Sequence, residues 1–305
     1  MENREGVVIL DGGMGRELAR RGAPFRQPEW SALALMEAPH TVSEVHEAFI
    51  HSGAEVITTN SYALVPFHIG QARFASEGEA LTRLSATLAR QVADRHPGVR
   101  VAGSLPPLFG SYRADLYRPE QVAALATPLV RALAPHVDIW LAETMSLIAE
   151  PLAYRALLPD DGKPLWVSFT LEDDVAGSEP RLRSGEPVSA AVRALVEAGA
   201  DAILFNCCQP EVIEAALAEA VATLAMLERR DVRLGAYANA FPPQPKEATA
   251  NDGLDEVRAD LGPADYLVWA ERWKAAGARL IGGCCGIGPE HIAALSAHFA
   301  GVADE

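Results

Sequence analysis

The chain has 305 residues, 49% hydrophobic and 22% charged, which suits one α/β barrel or two small domains and excludes a disordered or fibrous protein. Its net charge of −15 argues against a nucleic-acid partner, because binding a phosphate backbone usually needs clustered Lys and Arg. No apolar run approaches the roughly 20 residues that span a bilayer, and Met1–Gly6 leads into the first apolar run without a signal peptide, so we expect a cytoplasmic protein with no membrane partner.

Short apolar runs alternate with helical patterns along the whole chain. Eight runs are rich in Val, Ile and Leu and alternate only weakly, as parallel strands covered on both faces do. They are Val7–Leu10, Val56–Thr59, Val99–Ala102, Ile139–Ala142, Leu165–Phe169, Ala202–Phe205, Arg233–Tyr237 and Arg279–Ile281. Eight βα units in this length predict a single (β/α)8 TIM barrel, of the α/β class, over residues 1–305. A doubly wound sheet with a second domain is the alternative, but no linker or composition shift marks a boundary.

Two sequence signals predict helix starts, and a third predicts a long loop. Thr41-x-x-Glu44 and Ser76-x-x-Glu79 match the capping box, in which the hydroxyl and the carboxylate accept hydrogen bonds from backbone N–H groups that have no partner within the helix. Residues 241–260, with three prolines near their start, predict a loop after the seventh strand. A long βα loop on the upper face of a barrel is more often functional than idle.

All four cysteines stand in two adjacent pairs, Cys207-Cys208 and Cys284-Cys285, each at the end of a predicted strand. In one parallel barrel the four sulfurs would meet at the C-terminal rim, where such barrels keep their active sites. Three or four thiolates at one point bind a soft tetrahedral metal, and zinc fits best. The two cysteines of one pair are too close together for an ordinary disulfide.

Other roles for these cysteines stay open. A buried cysteine most often behaves as a small hydrophobic residue. A structural zinc with four cysteine ligands usually uses C-x₂₋₄-C spacing, which is absent, so three ligands and an open fourth position are favoured. Cys208 is expected to pack beside the site, because adjacent strand residues face opposite ways. A non-catalytic zinc or redox sensor is the competing function.

Polar side chains also stand at the predicted strand ends. Asp11 and Glu143 each end a strand, where they would serve as a helix N-cap and an ion-pair partner, or together bind the ammonium group of an amino acid. Thr59, Ser104 and Asn206 hold similar positions and are candidate contacts to the same amino acid.

Several motifs resemble those of the zinc-dependent homocysteine S-methyltransferases. Gly282-Gly283-Cys284-Cys285-Gly286 is similar to the hallmark of that family, and Asn206-Cys207 is similar to its upstream Asn-Cys. Leu10-Asp11-Gly12-Gly13, Gly53–Tyr62, Glu143-Thr144 and Tyr237-Ala238-Asn239 agree with it as well. The match spans nearly the whole chain.

The resemblance implies a barrel with zinc held by Cys207, Cys284 and Cys285, and with the homocysteine thiol in the fourth position. It also implies that Asp11 and Glu143 bind the substrate ammonium, helped by the backbone around Gly12. The methyl group would come from a sulfonium donor, S-methylmethionine or S-adenosylmethionine, because the compact length resembles that branch rather than the betaine-dependent or cobalamin-dependent enzymes.

Some details of the implied reaction remain open. Betaine or methylfolate as donor, and another thiol or a selenol as acceptor, are alternatives, since the segment Gly103–Tyr112 departs from the pattern of the S-methylmethionine branch. Tyr62 and Trp30 are candidates either to shape the donor pocket or to pack in the core. The chain ends soon after its last predicted helix, which favours a monomer.

Overall fold

Eight parallel strands form one sheet in the order β1-β8-β7-β6-β5-β4-β3-β2. The computed structural model describes residues 6–173, 179–244 and 256–300. The strands are β1 (Val8–Ile9), β2 (Val56–Thr58), β3 (Arg100–Leu105), β4 (Ile139–Met145), β5 (Leu165–Phe169), β6 (Ala202–Asn206), β7 (Arg233–Tyr237) and β8 (Ala278–Ile281).

Contacts between β1 and β2 close this sheet into a barrel. Leu10 forms a parallel bridge with Val56, whose carbonyl accepts a hydrogen bond of 3.0 Å from the Asp11 amide. The Glu55 amide donates to the Ile9 carbonyl at 2.8 Å. The predicted (β/α)8 barrel is therefore confirmed.

Helices cover the outside of the barrel. They are α1 (Met14–Arg20), α2 (Ser31–Glu37), α3 (Pro39–His51), α4 (Pro66–Ile69), α5 (Gln71–Ala93), α6 (Pro119–Leu133), α7 (Ala149–Arg155), α8 (Val188–Glu197), α9 (Pro210–Met226), α10 (Pro263–Ala275) and α11 (Pro289–Ala300). Six of them begin at a proline, whose fixed φ suits the first helical turn and whose missing N–H is not needed there. None of the helices in the described ranges is long and apolar enough to cross a bilayer.

Both predicted capping boxes are wrong. Helix α3 begins at Pro39, so Thr41 lies inside the helix and is only 5% exposed. Helix α5 begins at Gln71, and the hydroxyl of Ser76 donates back to the Ala72 carbonyl at 3.1 Å. In each case the helix starts earlier in the chain than the motif, which therefore falls within it.

Two separate groups of buried side chains fill the molecule. A small cluster inside the barrel contains Leu10, Val56, Trp166 and Tyr237, and Cys284 packs against it. A much larger cluster lies between the strands and the helices, and Cys208 belongs to it. The interior cluster ends beneath the cysteines, so its upper residues form the floor of a cavity at the C-terminal rim.

Candidate active site

The backbone turns at Cys207 and thereby separates it from its neighbour. Cys207 follows β6 directly and has a φ of +49°, in the left-handed region that non-glycine residues seldom adopt. Cys207 lines the cavity, whereas Cys208 is fully buried in the outer core. Burial raises the pKa of the Cys208 thiol well above its usual range. Cys208 therefore packs beside the site, as predicted.

The sulfurs of Cys207, Cys284 and Cys285 lie within 4.8 Å of one another. Cys207 and Cys284 are joined as a disulfide, with their Cα atoms 5.7 Å apart. We did not predict this bond, because it links two strand ends separated by 77 residues rather than two neighbours in the chain. Once the disulfide is reduced, the three thiolates fit a tetrahedral zinc, whose sulfur ligands at about 2.3 Å stand roughly 3.8 Å apart.

Close backbone packing explains the glycines around this centre. A Cβ at Gly13 would lie 2.6 Å from the carbonyl oxygen of Cys284, so no side chain fits there. A Cβ at Gly283 would overlap the side chain of Ile287. The loop after β1 can therefore lie directly against the loop that carries Cys284 and Cys285.

The cavity above the cysteines has a volume of about 220 Å³ and mixes aromatic with charged side chains. Its aromatic residues are Phe25, Trp30, Tyr62, Tyr112, Trp166, Tyr237 and Phe241. Asp11, Gly12, Thr59 and Glu143, all predicted from the sequence, also line it.

Two carboxylates stand in the cavity wall. Asp11 is 8% exposed and accepts hydrogen bonds from the amide of Thr58 at 2.7 Å and from its hydroxyl at 3.1 Å. Burial, reinforced by the nearby Glu143 carboxylate, raises the pKa of Asp11 to about 7 despite those hydrogen bonds. Glu143 accepts from the hydroxyls of Ser104 at 2.5 Å and Tyr237 at 3.2 Å, and burial raises its pKa above the ordinary value. A cation bound beside these two acids would stabilise their ionised forms, so the pair suits a positively charged group.

The other polar candidates bond to protein groups. Asn206 accepts from the Thr144 amide at 3.0 Å and from the Ser168 hydroxyl at 2.7 Å, and donates to the Thr144 hydroxyl at 2.8 Å. Its amide nitrogen also lies 4.0 Å from the sulfur of Cys284. Ser104 holds Glu143, and neither Ser104 nor Asn206 is among the described residues that line the cavity. Their geometry suits positioning of the site, and the contacts to substrate predicted for them stay predictions.

Strained backbone is concentrated at the cavity. Within the described ranges, five non-glycine residues have a positive φ, and four of them line the cavity: Trp30, Tyr112, Thr144 and Cys207. Such conformations cost of order 1–3 kcal/mol each and persist where the surroundings hold them. The fold thus gives up stability to orient these side chains.

Sequence reasoning missed several cavity residues. Arg16 on α1 lines the cavity, with its guanidinium carbon 5.2 Å from the centre of the Phe241 ring. Its position in the first turn of α1, three residues beyond Gly13, was the available signal, because the first turn after a barrel strand lies on the rim. Phe241 is the first residue of the loop predicted over 241–260, of which 245–255 lie outside the described residues, whereas no sequence pattern marked Tyr112 as a cavity residue.

A (β/α)8 barrel that gathers three cysteine sulfurs and two buried acids around one cavity at its C-terminal rim has the architecture of an enzyme active site. Residues 8–299 match the family model for homocysteine S-methyltransferase. The homocysteine S-methyltransferase of Escherichia coli K12 is 33% identical, over 97% of this chain and 96% of its own. The selenocysteine Se-methyltransferase of Brassica oleracea var. italica is 29% identical, over 95% and 88%.

A solved structure agrees with these sequence matches. The metallated form of the E. coli homocysteine methyltransferase MmuM superposes with a TM-score of 0.76 at 32% identity, and 97% of each chain is covered. The chain belongs to the homocysteine S-methyltransferase family and is an enzyme.

Proposed function

We propose that this enzyme transfers a methyl group from a small sulfonium amino acid to the sulfur of homocysteine, giving methionine, with zinc as its metal. The observation that carries the proposal is the meeting of three cysteine sulfurs and an acidic pair in one cavity. Turnover by purified, reduced, zinc-loaded protein with homocysteine and S-methylmethionine tests it, and no methyl transfer from any sulfonium, betaine or methylfolate donor would favour the sensor function.

Cys207, Cys284 and Cys285 would hold the zinc as thiolates. When bound, zinc keeps a coordinated thiol deprotonated at neutral pH, and the thiolate is the nucleophilic form. The chain's own part is to keep the three sulfurs together and to leave the cavity side open to the substrate sulfur.

Asp11 and Glu143 would bind the homocysteine ammonium by charge-assisted hydrogen bonds. Neither acid is needed by a protein that only senses metal or oxidation, so their presence in the cavity supports catalysis. The protein must also align donor and acceptor for in-line displacement at the methyl carbon. This displacement needs positioning of the two substrates rather than a general base.

The cavity favours a donor of amino-acid size. Its volume of about 220 Å³ is below the roughly 300–1,000 Å³ of pockets for drug-sized ligands. Aromatic faces such as those of Trp30 and Tyr62 attract a sulfonium cation. We therefore place S-methylmethionine ahead of S-adenosylmethionine, and a side-by-side comparison of turnover with the two donors and betaine tests that order.

A selenol acceptor is the second candidate, because two relatives are named for selenocysteine. Competition between homocysteine and selenocysteine for limiting donor would decide which acceptor has the higher kcat/KM.

Metal uptake should depend on reduction. Because Cys207 and Cys284 form a disulfide, two of the three sulfurs can bind zinc only after both electrons are supplied. Protein incubated with zinc and no reductant is expected to bind well under one equivalent and to be inactive, whereas reduction with a phosphine is expected to restore both. Full zinc loading of protein whose disulfide is shown to be intact would contradict the ligand set. The need for thiols also supports a reducing compartment such as the cytoplasm.

Homocysteine binding should weaken in mild acid. The ionised form of Asp11 binds an ammonium, and its pKa is raised to about 7, so the competent fraction falls as pH drops through that value. We expect KM for homocysteine to rise on the order of tenfold per unit below pH 7, at a zinc content verified at each pH. Asp11→Asn is expected to raise KM and to flatten this dependence. An unchanged profile in Asp11→Asn would assign the titration to another group.

A further inference from the structure

A buried ion pair lies behind the cavity wall. Asp173 and Arg183 stand on the connection between β5 and α8, with side chains 0% and 1% exposed. Oδ2 of Asp173 lies 2.9 Å from Nη2 of Arg183. A buried ion pair is weak evidence for stability, because an apolar pair of similar volume often replaces it without loss. Its contacts therefore point to a positional role.

Asp173 joins three connections on the rim. Its Oδ1 accepts from the Gln209 amide at 2.8 Å, and its Oδ2 accepts from the Gln244 amide at 2.9 Å. Arg183 donates to the Gln244 carbonyl at 3.0 Å. Gln209 follows Cys207 by two residues, so the pair fixes the connections after β5, β6 and β7 relative to one another.

Arg183 also lies against Tyr112, on the connection after β3. Its guanidinium carbon is 4.8 Å from the centre of the Tyr112 ring. Of the described residues, Tyr112 lines the cavity together with Cys285, whereas Arg183 does not, so the guanidinium is behind the ring as seen from the cavity. Tyr112 has a φ of +67°, which a residue with a side chain keeps only where its surroundings hold it.

We propose that Arg183 is a positioning residue for the methyl donor: it holds the half-buried Tyr112 in its left-handed conformation, so that the ring forms the donor-facing wall beside Cys285. The inference rests on the proposed function. The ring attracts the sulfonium, and its placement sets donor affinity. Asp173 neutralises the guanidinium, so the charge behind the ring does not repel a cationic donor.

Arg183→Lys tests the proposal, because lysine keeps the charge but loses the planar group that stacks on the ring. With S-methylmethionine as donor, we expect KM for the donor to rise on the order of fivefold or more, while kcat, KM for homocysteine and zinc content stay within about twofold. Arg181→Lys is the matched control, since Arg181 lies on the same connection but pairs with Glu179, and it should change none of these values.

Tyr112→Leu keeps the test open if Arg183→Lys does not fold. This variant alone should also raise the donor KM selectively. Where Arg183→Lys does fold, adding it to Tyr112→Leu should raise the donor KM no further, because the two residues act on the donor as one unit. An unchanged donor KM in Tyr112→Leu, or an equal loss of donor, homocysteine and zinc binding in Arg183→Lys, would overturn the inference. A wild-type protein without methyl transfer would instead contradict the proposed function.

Discussion

Cys284→Ala is expected to abolish turnover and to lower zinc affinity by more than about 100-fold. Removing a residue that only supports a metal ligand already lowers metal affinity by up to about 100-fold, so removing a ligand itself should cost more. Cys284 packs on top of the barrel interior and its sulfur lies within 4.8 Å of those of Cys207 and Cys285. Two thiolates alone leave the metal with too few soft ligands. Zinc content after dialysis, measured with the rate of methionine formation, checks this prediction.

Cys208→Ala is the matched control for that variant. Cys208 is the neighbour of a proposed ligand, but it is fully buried in the outer core and lies outside the cysteine cluster. It is expected to keep its zinc and its turnover, with a modest loss of stability. Full activity in Cys284→Ala, or loss of zinc in Cys208→Ala, would show that the ligands have been assigned wrongly.

Glu143→Gln is expected to raise KM for homocysteine roughly 10- to 100-fold, which corresponds to losing one hydrogen bond to a charged group. The glutamine keeps the size and the contact with Ser104 but cannot balance an ammonium ion. Zinc content should stay at the wild-type value, because Glu143 is not among the clustered residues that could hold the metal. Initial rates over a range of homocysteine concentrations, with zinc measured on the same samples, give both results.

Glu150→Gln separates this effect from a general response to losing a buried acid. Glu150 is 5% exposed, accepts a hydrogen bond of 2.7 Å from the Ser146 amide, and is not among the described residues lining the cavity. Its replacement should leave KM for homocysteine within about twofold of the wild type. Equal losses of homocysteine and zinc binding in Glu143→Gln would contradict the role proposed for Glu143.

The barrel could be predicted because each strand is a short apolar run between helices, but the strand ends were less visible. We predicted Ile139–Ala142, whereas β4 continues to Met145 through Glu143 and Thr144. An apolar pattern stops at the first polar residue, whereas β4 continues past it through an irregularity: its pairing with β5 passes from Ala142 directly to Met145. In this barrel the polar ends of β3 and β4 are part of the site.

The site could be predicted only where a motif marks it. The paired cysteines and the acids at strand ends carry such a signal. Tyr112, Asp173 and Arg183 carry none, because a left-handed tyrosine and an ion pair between residues of one connection depend on packing that forms only in the folded chain. The disulfide between Cys207 and Cys284 depends in the same way on two strand ends that meet only in the barrel.

X-ray absorption at the zinc edge tests the central claim most directly. Reduced, zinc-loaded protein should show three sulfur neighbours at about 2.3 Å, and addition of homocysteine should raise the number to four. A spectrum that does not change when homocysteine is added, or that shows fewer than three sulfurs from the protein, would contradict the proposal that Cys207, Cys284 and Cys285 present one metal to the thiol of the substrate.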